Sequence, residues 1–187
     1  MDQVETTAAL IEFIGDATTV RVAGGGTKPA LSRNANVGLS RLRGVVEYQP
    51  SEFTMTVRAG TPLAEINRLL AEQGQSLPCD LPLADAGATI GGAVAAGGSG
   101  PGRFRYGGLR DFLLGVELAT GDGQLVRLGS RVVKNAAGFD FPKLLVGSLG
   151  RFGVLTEVTL KVFPHPASYR TVVFETASRQ GALRLML

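Results

Sequence analysis

The chain has no tryptophan, a single cysteine and a single histidine, and only 6% of its residues are aromatic. The missing tryptophan excludes no fold class. The lone Cys79 excludes an internal disulfide and fits a reducing compartment. The lone His165 sits between Pro164 and Pro166 and reads as a surface loop residue. It leaves no Ser-His-Asp triad and no histidine-based metal site, so no metal is expected. Charge of one sign does not accumulate: 19 Lys and Arg stand against 16 Asp and Glu, and the net charge is +3. No basic run or aromatic-basic stripe points to nucleic acid. The amino terminus, Met1-Asp2-Gln3-Val4-Glu5, lacks the basic start of a signal peptide. The uncharged stretch from Ala86 to Gly102 is too glycine-rich for a membrane helix, and it contains Pro101.

Glycine is what the chain has in excess: 26 of 187 residues, about twice the usual ~7% share. The glycines cluster at Gly24-Gly25-Gly26, at Gly91-Gly92 with Gly97, Gly98 and Gly100, at Gly107-Gly108, and from Gly147 to Gly153. Glycine tolerates positive φ and lets a ligand approach the backbone closely. With 44% hydrophobic and 19% charged residues, the chain is globular and long enough for one large domain or two small subdomains.

The apolar spacing predicts a helix over residues 6–14 and a strand from Thr18 to Ala23. Strands are expected at 45–48 and 54–59. Thr61 reads as the N-cap of a helix with Pro62 at its first position, Leu63, Ile66, Leu69 and Leu70 on its apolar face, and Gly74 just past its end. A loop carrying Pro78 and Pro82 leads into a small-residue helix, Ile90 to Ala96. A strand over 112–119, a turn at Gly121-Asp122-Gly123 and a return strand over 124–128 form a hairpin. A short helix over 141–146 and a long alternating strand over 153–163 follow. A strand over 171–175 and a helix capped by Ser178, carrying Leu183, Leu185 and Met186, complete the pattern. The fold class is α+β: an N-terminal α/β subdomain over 1–80, a second α+β subdomain over 81–166, and in 167–187 the opening of a truncated C-terminal domain. Cys79 reads as a small buried hydrophobe, and Asp80 and Asp85 as loop-capping residues. Tyr106 packs on a cofactor or on the core; the sequence does not separate the two.

The glycine loops match neither of two familiar phosphate-binding patterns. Gly24-Gly25-Gly26-Thr27-Lys28 lacks the Gly-x-Gly-x-x-Gly spacing of a dinucleotide fold, and no helix follows it directly. A P-loop needs four residues between its glycine and its Gly-Lys-Ser/Thr, and that spacing is absent too. What remains is a strand ending in consecutive backbone donors, which can form an anion-binding nest. In Ala88-Thr89-Ile90-Gly91-Gly92, a hydroxyl stands at a helix start where N–H groups and the dipole favour phosphate. Two such elements suit a pyrophosphate clamped between two subdomains.

Five segments, in order, carry a resemblance. They are Val22 to Lys28; Ala88 to Gly92 with Ser99-Gly100-Pro101; Arg110 to Val116; Val133 to Asp140; and Gly147 to Glu157. Together they resemble the FAD-binding (PCMH-type) domain of the vanillyl-alcohol-oxidase-like flavoproteins, and most of all the FAD-binding subunits of bacterial glycolate oxidases. The resemblance spans about residues 20–164. It implies two α/β subdomains with FAD between them. Gly24, Gly25, Gly26, Thr27 and Lys28, with Ala88, Thr89, Gly91 and Gly92, would hold the pyrophosphate. Gly97, Ser99 and Gly100 would lie beside the ribityl chain or flavin, and Gly153, Val154 and Leu155 on the adenine side. Lys134 and Asn135 would lie near the flavin ring, where a lysine charge would stabilise the anionic reduced form. No catalytic residue is assigned.

The first loop has no histidine, so the FAD would be non-covalent. The implied activity is oxidation of a small 2-hydroxy acid, glycolate or D-lactate, by hydride transfer to the flavin. Electrons would pass to other glycolate oxidase subunits, including an iron-sulfur subunit. The implied location is cytoplasmic, with any contact to the inner membrane made through those subunits. The alternatives are a D-lactate or sugar-acid dehydrogenase domain, or a truncated flavin-binding or interaction module without catalysis.

Overall fold

The computed structural model describes residues 1–130 and 140–186. In chain order the elements are β1 (Asp2–Gln3), α1 (Thr7–Asp16), β2 (Val22–Ala23), α2 (Pro29–Ser32), β3 (Val37–Gly38), β4 (Val45–Gln49), β5 (Thr54–Arg58), α3 (Leu63–Glu72) and β6 (Gln75–Ser76). There follow α4 (Ile90–Ala96), α5 (Arg103–Tyr106), α6 (Leu109–Phe112), β7 (Leu113–Ala119), β8 (Leu125–Gly129), α7 (Phe141–Leu144), β9 (Val154–Lys161), β10 (Phe163–Pro164) and α8 (Arg179–Met186).

The first helix begins where its sequence says it should. Thr6 Oγ1 accepts the Ala9 N–H at 3.1 Å, and Leu10 and Ile14 on one face are buried. They pack with Val37, Leu39 and Leu42 around a short parallel sheet of order β1-β3-β2. A larger antiparallel sheet has the order β4-β5-β9-β7-β8, and β6 pairs with β10. One face of the large sheet carries Met55, Val57, Val116, Val158 and Leu160. This face meets Leu63, Ile66 and Leu70 of α3 and Ile90 and Val94 of α4 in a single apolar core.

The opposite face is polar yet buried. Thr56 and Thr159 share a hydrogen bond of 2.9 Å across β5 and β9. Glu117 and Glu157 stand directly opposite each other on β7 and β9. Arg127 of β8 donates from Nε to Glu117 at 2.6 Å and reaches Glu157 at 3.4 Å. Thr156 Oγ1 also donates to Glu117, at 2.9 Å. A register shift at this point makes Thr156 the extra residue of β9, so Leu155 pairs with Leu118 and joins the core.

Several expectations need correction. The pairing of β5 with β9 runs across residue 80, so residues 45–58 join the second sheet rather than the first subdomain. The strand expected over 18–23 shortens to Val22–Ala23, because Asn36 holds the preceding backbone instead: it accepts from Arg21 N–H and donates to the Thr19 carbonyl. No strand forms over 171–175, where Val172, Val173 and Phe174 are exposed and find no partner strand among the described residues. Strand β9 is not a one-faced alternating strand, because it lies between β5 and β7 and is buried along nearly its whole length.

Thr61 is fully buried, but it does not cap α3. Its hydroxyl has nearer partners: it donates to the Arg58 carbonyl at 2.7 Å and accepts the Gly44 N–H at 2.9 Å. The first N–H of α3, on Leu63, goes to the Ala88 carbonyl at 2.8 Å. Thr61→Val keeps the shape and strands the Gly44 donor. It should cost about 2 kcal/mol, read as a lower urea midpoint with an unchanged slope; an unchanged midpoint would contradict the assigned role.

Candidate functional site

The loop from Gly24 to Lys28 leaves the carboxyl end of β2 and turns at Gly26, whose φ is +68°. Among the described residues, none accepts a hydrogen bond from the backbone N–H groups of Gly24, Gly25, Gly26, Thr27 or Lys28. Five consecutive donors are therefore left without a protein partner among the described residues, and such a run can form an anion nest. The five residues line a pocket of about 130 Å³ together with Ala88, Thr89 and Gly92. The two glycine-rich segments of the sequence thus meet. A Cβ on Gly24 would strike Thr89 Oγ1, and one on Gly25 would strike the Gly87 carbonyl. These glycines are needed for loop-to-loop contact as much as for room around a ligand.

The start of α4 differs from its expected role. Its first two N–H groups are not available to a phosphate: Ile90 donates to the Thr61 carbonyl at 3.0 Å and Gly91 to the Ala59 carbonyl at 2.8 Å. Gly92 N–H goes to Thr89 Oγ1 at 3.3 Å. The turn after β5 satisfies the helix end, so anion donors on this side come from the first loop. Gly91 allows this docking, since a Cβ there would come within 2.7 Å of the Ala59 Cβ.

The pocket opens into a cavity of about 540 Å³. Gly24, Thr89 and Gly92 line both spaces, as do Leu31 and Leu149. Gly153 and Leu155 line the larger one, while Val154 turns into the core around α1. Arg33 and Asn34 add a polar edge.

Sequence reasoning missed Leu31 and Leu149. Each is about half exposed, at 54% and 51%, which is unusual for a leucine at a cavity wall. Leu149 also holds a left-handed φ of +56°, between Gly147 and Gly150 with positive φ of their own. A strained apolar residue at a cavity mouth is a signal of function that only the backbone reveals.

Gly97 and Ser99 line a separate cavity beyond α4. Gly100 is held elsewhere, its N–H given to the Asp80 carbonyl at 2.7 Å; Asp80 also takes the Gly102 N–H on its carboxylate, as a loop-capping residue does. Lys134 and Asn135 lie outside the described residues. Tyr106 is 67% exposed and so is not a core residue. Cys79 is buried; burial, reinforced by Asp80 and Asp111, pushes its thiol up to about 12 from 9.0. The native thiol should not react with iodoacetamide at pH 8, and rapid labelling would disprove its burial. Because the folded value is raised, this residue's contribution to stability is full below about pH 9 and is lost as pH rises towards 12. Among the described residues, no group of His, Cys, Asp or Glu could hold a metal, and no helix is long and apolar enough to cross a membrane.

Residues 2–129 match the family described as FAD binding domain. The chain belongs to this family. The chain is 44% identical over 158 residues to glycolate oxidase subunit GlcE of Escherichia coli, an alignment covering 83% of this chain and 45% of that protein. It is 33% identical over 170 residues to D-2-hydroxyglutarate dehydrogenase of Xanthomonas citri, covering 87% of this chain and 36% of that one. The chain therefore spans less than half the length of these relatives. Among solved structures, alkyldihydroxyacetonephosphate synthase superposes with a TM-score of 0.72 over 89% of this chain and 32% of its own, at 23% identity, and so shares the fold.

The residues present fit the cofactor. The loop donors, unpaired among the described residues, line a small pocket whose wall shares Gly24, Thr89 and Gly92 with the larger cavity, a donor set suited to a pyrophosphate with an adenosine beside it. A side chain on Gly24 or Gly25 would collide with Thr89 or Gly87 and disturb the wall of that pocket.

Proposed function

We propose that this chain is the FAD-holding part of an oxidoreductase that acts on a small 2-hydroxy acid, glycolate or D-lactate. The observation that carries the reading is the loop from Gly24 to Lys28, whose five N–H groups have no partner among the described residues and whose residues line a pocket that shares Gly24 with the larger cavity. Those groups hold the pyrophosphate. Leu31, Leu149 and Leu155, with the Gly153 backbone, enclose the adenosine. Gly97 and Ser99 line the path to the reacting end, and Lys134 and Asn135 belong beside it. Bound FAD supplies a two-electron acceptor that the side chains of this protein lack.

The relatives named above support the substrate class: two of them are called after glycolate and D-2-hydroxyglutarate. Because GlcE is named as a subunit, we place this chain in a multi-subunit enzyme that passes electrons onward, with an iron-sulfur subunit among the partners. The lone cysteine fits a cytoplasmic location. Two apolar clusters, one around α1 and the short parallel sheet and one against the large sheet, support a reading of two lobes.

The test is an absorbance spectrum of the purified protein. A flavin band near ~450 nm, released wholly into the supernatant by acid, is expected. Glycolate or D-lactate should bleach it once the partner subunits are present. Colourless protein that does not take up added FAD would refute the cofactor assignment; flavin left in the acid pellet would refute the non-covalent one.

A further inference from the structure

Beyond the carboxyl end of α4 lies a second cavity of about 540 Å³, and Ala96 belongs to its wall and to that of the pocket beside the glycine loop. The two spaces therefore adjoin. The lining of the second cavity includes Ser99, Arg103, Arg110, Asp111 and Lys143. Two of these are already engaged. Lys143 pairs with Asp140 at 2.6 Å, and Asp111 takes the Gly108 N–H at 2.8 Å. Among the described residues, no carboxylate pairs with Arg103 or Arg110.

Arg103 is distinguished by its position. A Cβ on Gly108 would lie 3.4 Å from Arg103 Nε and 3.0 Å from Ser99 Oγ. The guanidinium and the hydroxyl therefore converge over a residue that has no side chain to separate them. A planar cationic fork beside a hydroxyl matches a carboxylate with a second oxygen on the neighbouring carbon. The glycine loop of Gly24 and Gly25 meets Thr89 and Gly87 at the start of α4, the other end of the helix from this cavity, and does not need this cation.

We propose that Arg103, with Ser99 across Gly108, binds the carboxylate of the small 2-hydroxy acid, so that this chain carries a substrate-recognition residue of its own. The inference rests on the function proposed above.

Oxalate, a two-carbon dianion with no hydrogen on carbon to transfer, is the probe, titrated calorimetrically into the chain with and without FAD. Glycolamide is the neutral control. Arg103→Met should weaken oxalate binding about tenfold or more, Arg103→Lys should restore part of the loss, and the Kd for FAD should stay within about twofold. Arg105→Met, outside the cavity lining, should change neither. Melting temperatures of the variants report on folding, which a change at an exposed arginine should leave intact.

Three results would overturn the proposal. One is equal oxalate affinity in Arg103→Met. Another is no oxalate binding to the wild-type chain, or glycolamide binding as well as oxalate does. The third is a loss of FAD affinity with oxalate binding retained, which would make Arg103 a cofactor residue. Failure of the FAD reading shows separately as colourless protein, and the oxalate titration of that protein still decides the site.

Discussion

Gly25→Ala is expected to lose bound flavin and to lower the melting temperature by roughly 10 °C. The added methyl would land on the Gly87 carbonyl, with the Ala88 backbone just behind it. Both obstacles are main chain, so no flexible side chain can swing away. Forcing the two loops apart should cost about 3 kcal/mol, the scale of overpacking in a close-packed site. At this chain length each kcal/mol is worth about 2–4 °C. The same displacement shifts the loop that carries the five N–H groups and lines the smaller pocket, which is why cofactor and stability should fall together. Gly26→Ala is the control: space around its Cβ is open, and only the left-handed φ of +68° is strained, a cost of about 1 kcal/mol. It should melt slightly lower and keep its flavin. Thermal melts and flavin-to-protein ratios of both variants check this. A Gly25→Ala protein that melts normally and stays yellow would rule out the loop contact.

The second large effect is expected at Arg127. Glu117 and Glu157 face each other across β7 and β9 with side chains only 6% and 10% exposed, and Arg127 lies against both. Two carboxylates at that separation repel, and they tolerate burial because a shared cation and the Thr156 hydroxyl satisfy them. Arg127→Met keeps much of the aliphatic stem and removes the charge. The Arg127 side chain is itself 60% exposed, so solvent screening moderates the loss to about 2 kcal/mol. The double variant Arg127→Met with Glu117→Gln should recover more than half of it, because the repulsion goes with the charge. Urea unfolding of the pair gives the coupling; equal destabilisation of single and double variants would show that the arginine acts by packing alone.

Local chemistry was legible where it was self-contained. Thr89 and the small residues after it specify α4 to the residue, Ile90–Ala96, since a capping hydroxyl and tolerant glycines act within one turn. The hairpin around Gly121 to Gly123 is equally local: the Gly123 N–H closes on the Thr120 carbonyl. What was not legible depended on distant partners. Thr61 reads as a cap from its neighbours, but Gly44 and Arg58 claim its hydroxyl. The start of α4 reads as a phosphate site, but the backbone of Ala59 and Thr61 folds onto it. Residues 171–175 have strand composition and no strand to pair with among those described. At the site, the glycine loop announced itself through composition, while Leu31, Leu149 and Arg103 carry no spacing that marks them out before the chain closes around them.

The place of β9 has a consequence for how the protein is made. It is the middle strand of the large sheet, yet residues 154–161 are nearly the last of the sheet to leave the ribosome. Until they do, β5 and β7 have no common neighbour, and each offers an open backbone edge. At ~5–20 residues per second, the interval between β5 and β9 lasts on the order of ten seconds. For that time the β4–β5 hairpin waits with the backbone edge of β5 unpaired, a template for pairing with any other nascent chain. Yield in a cell should therefore respond to synthesis rate and chaperone supply more than the stability of the finished fold would imply.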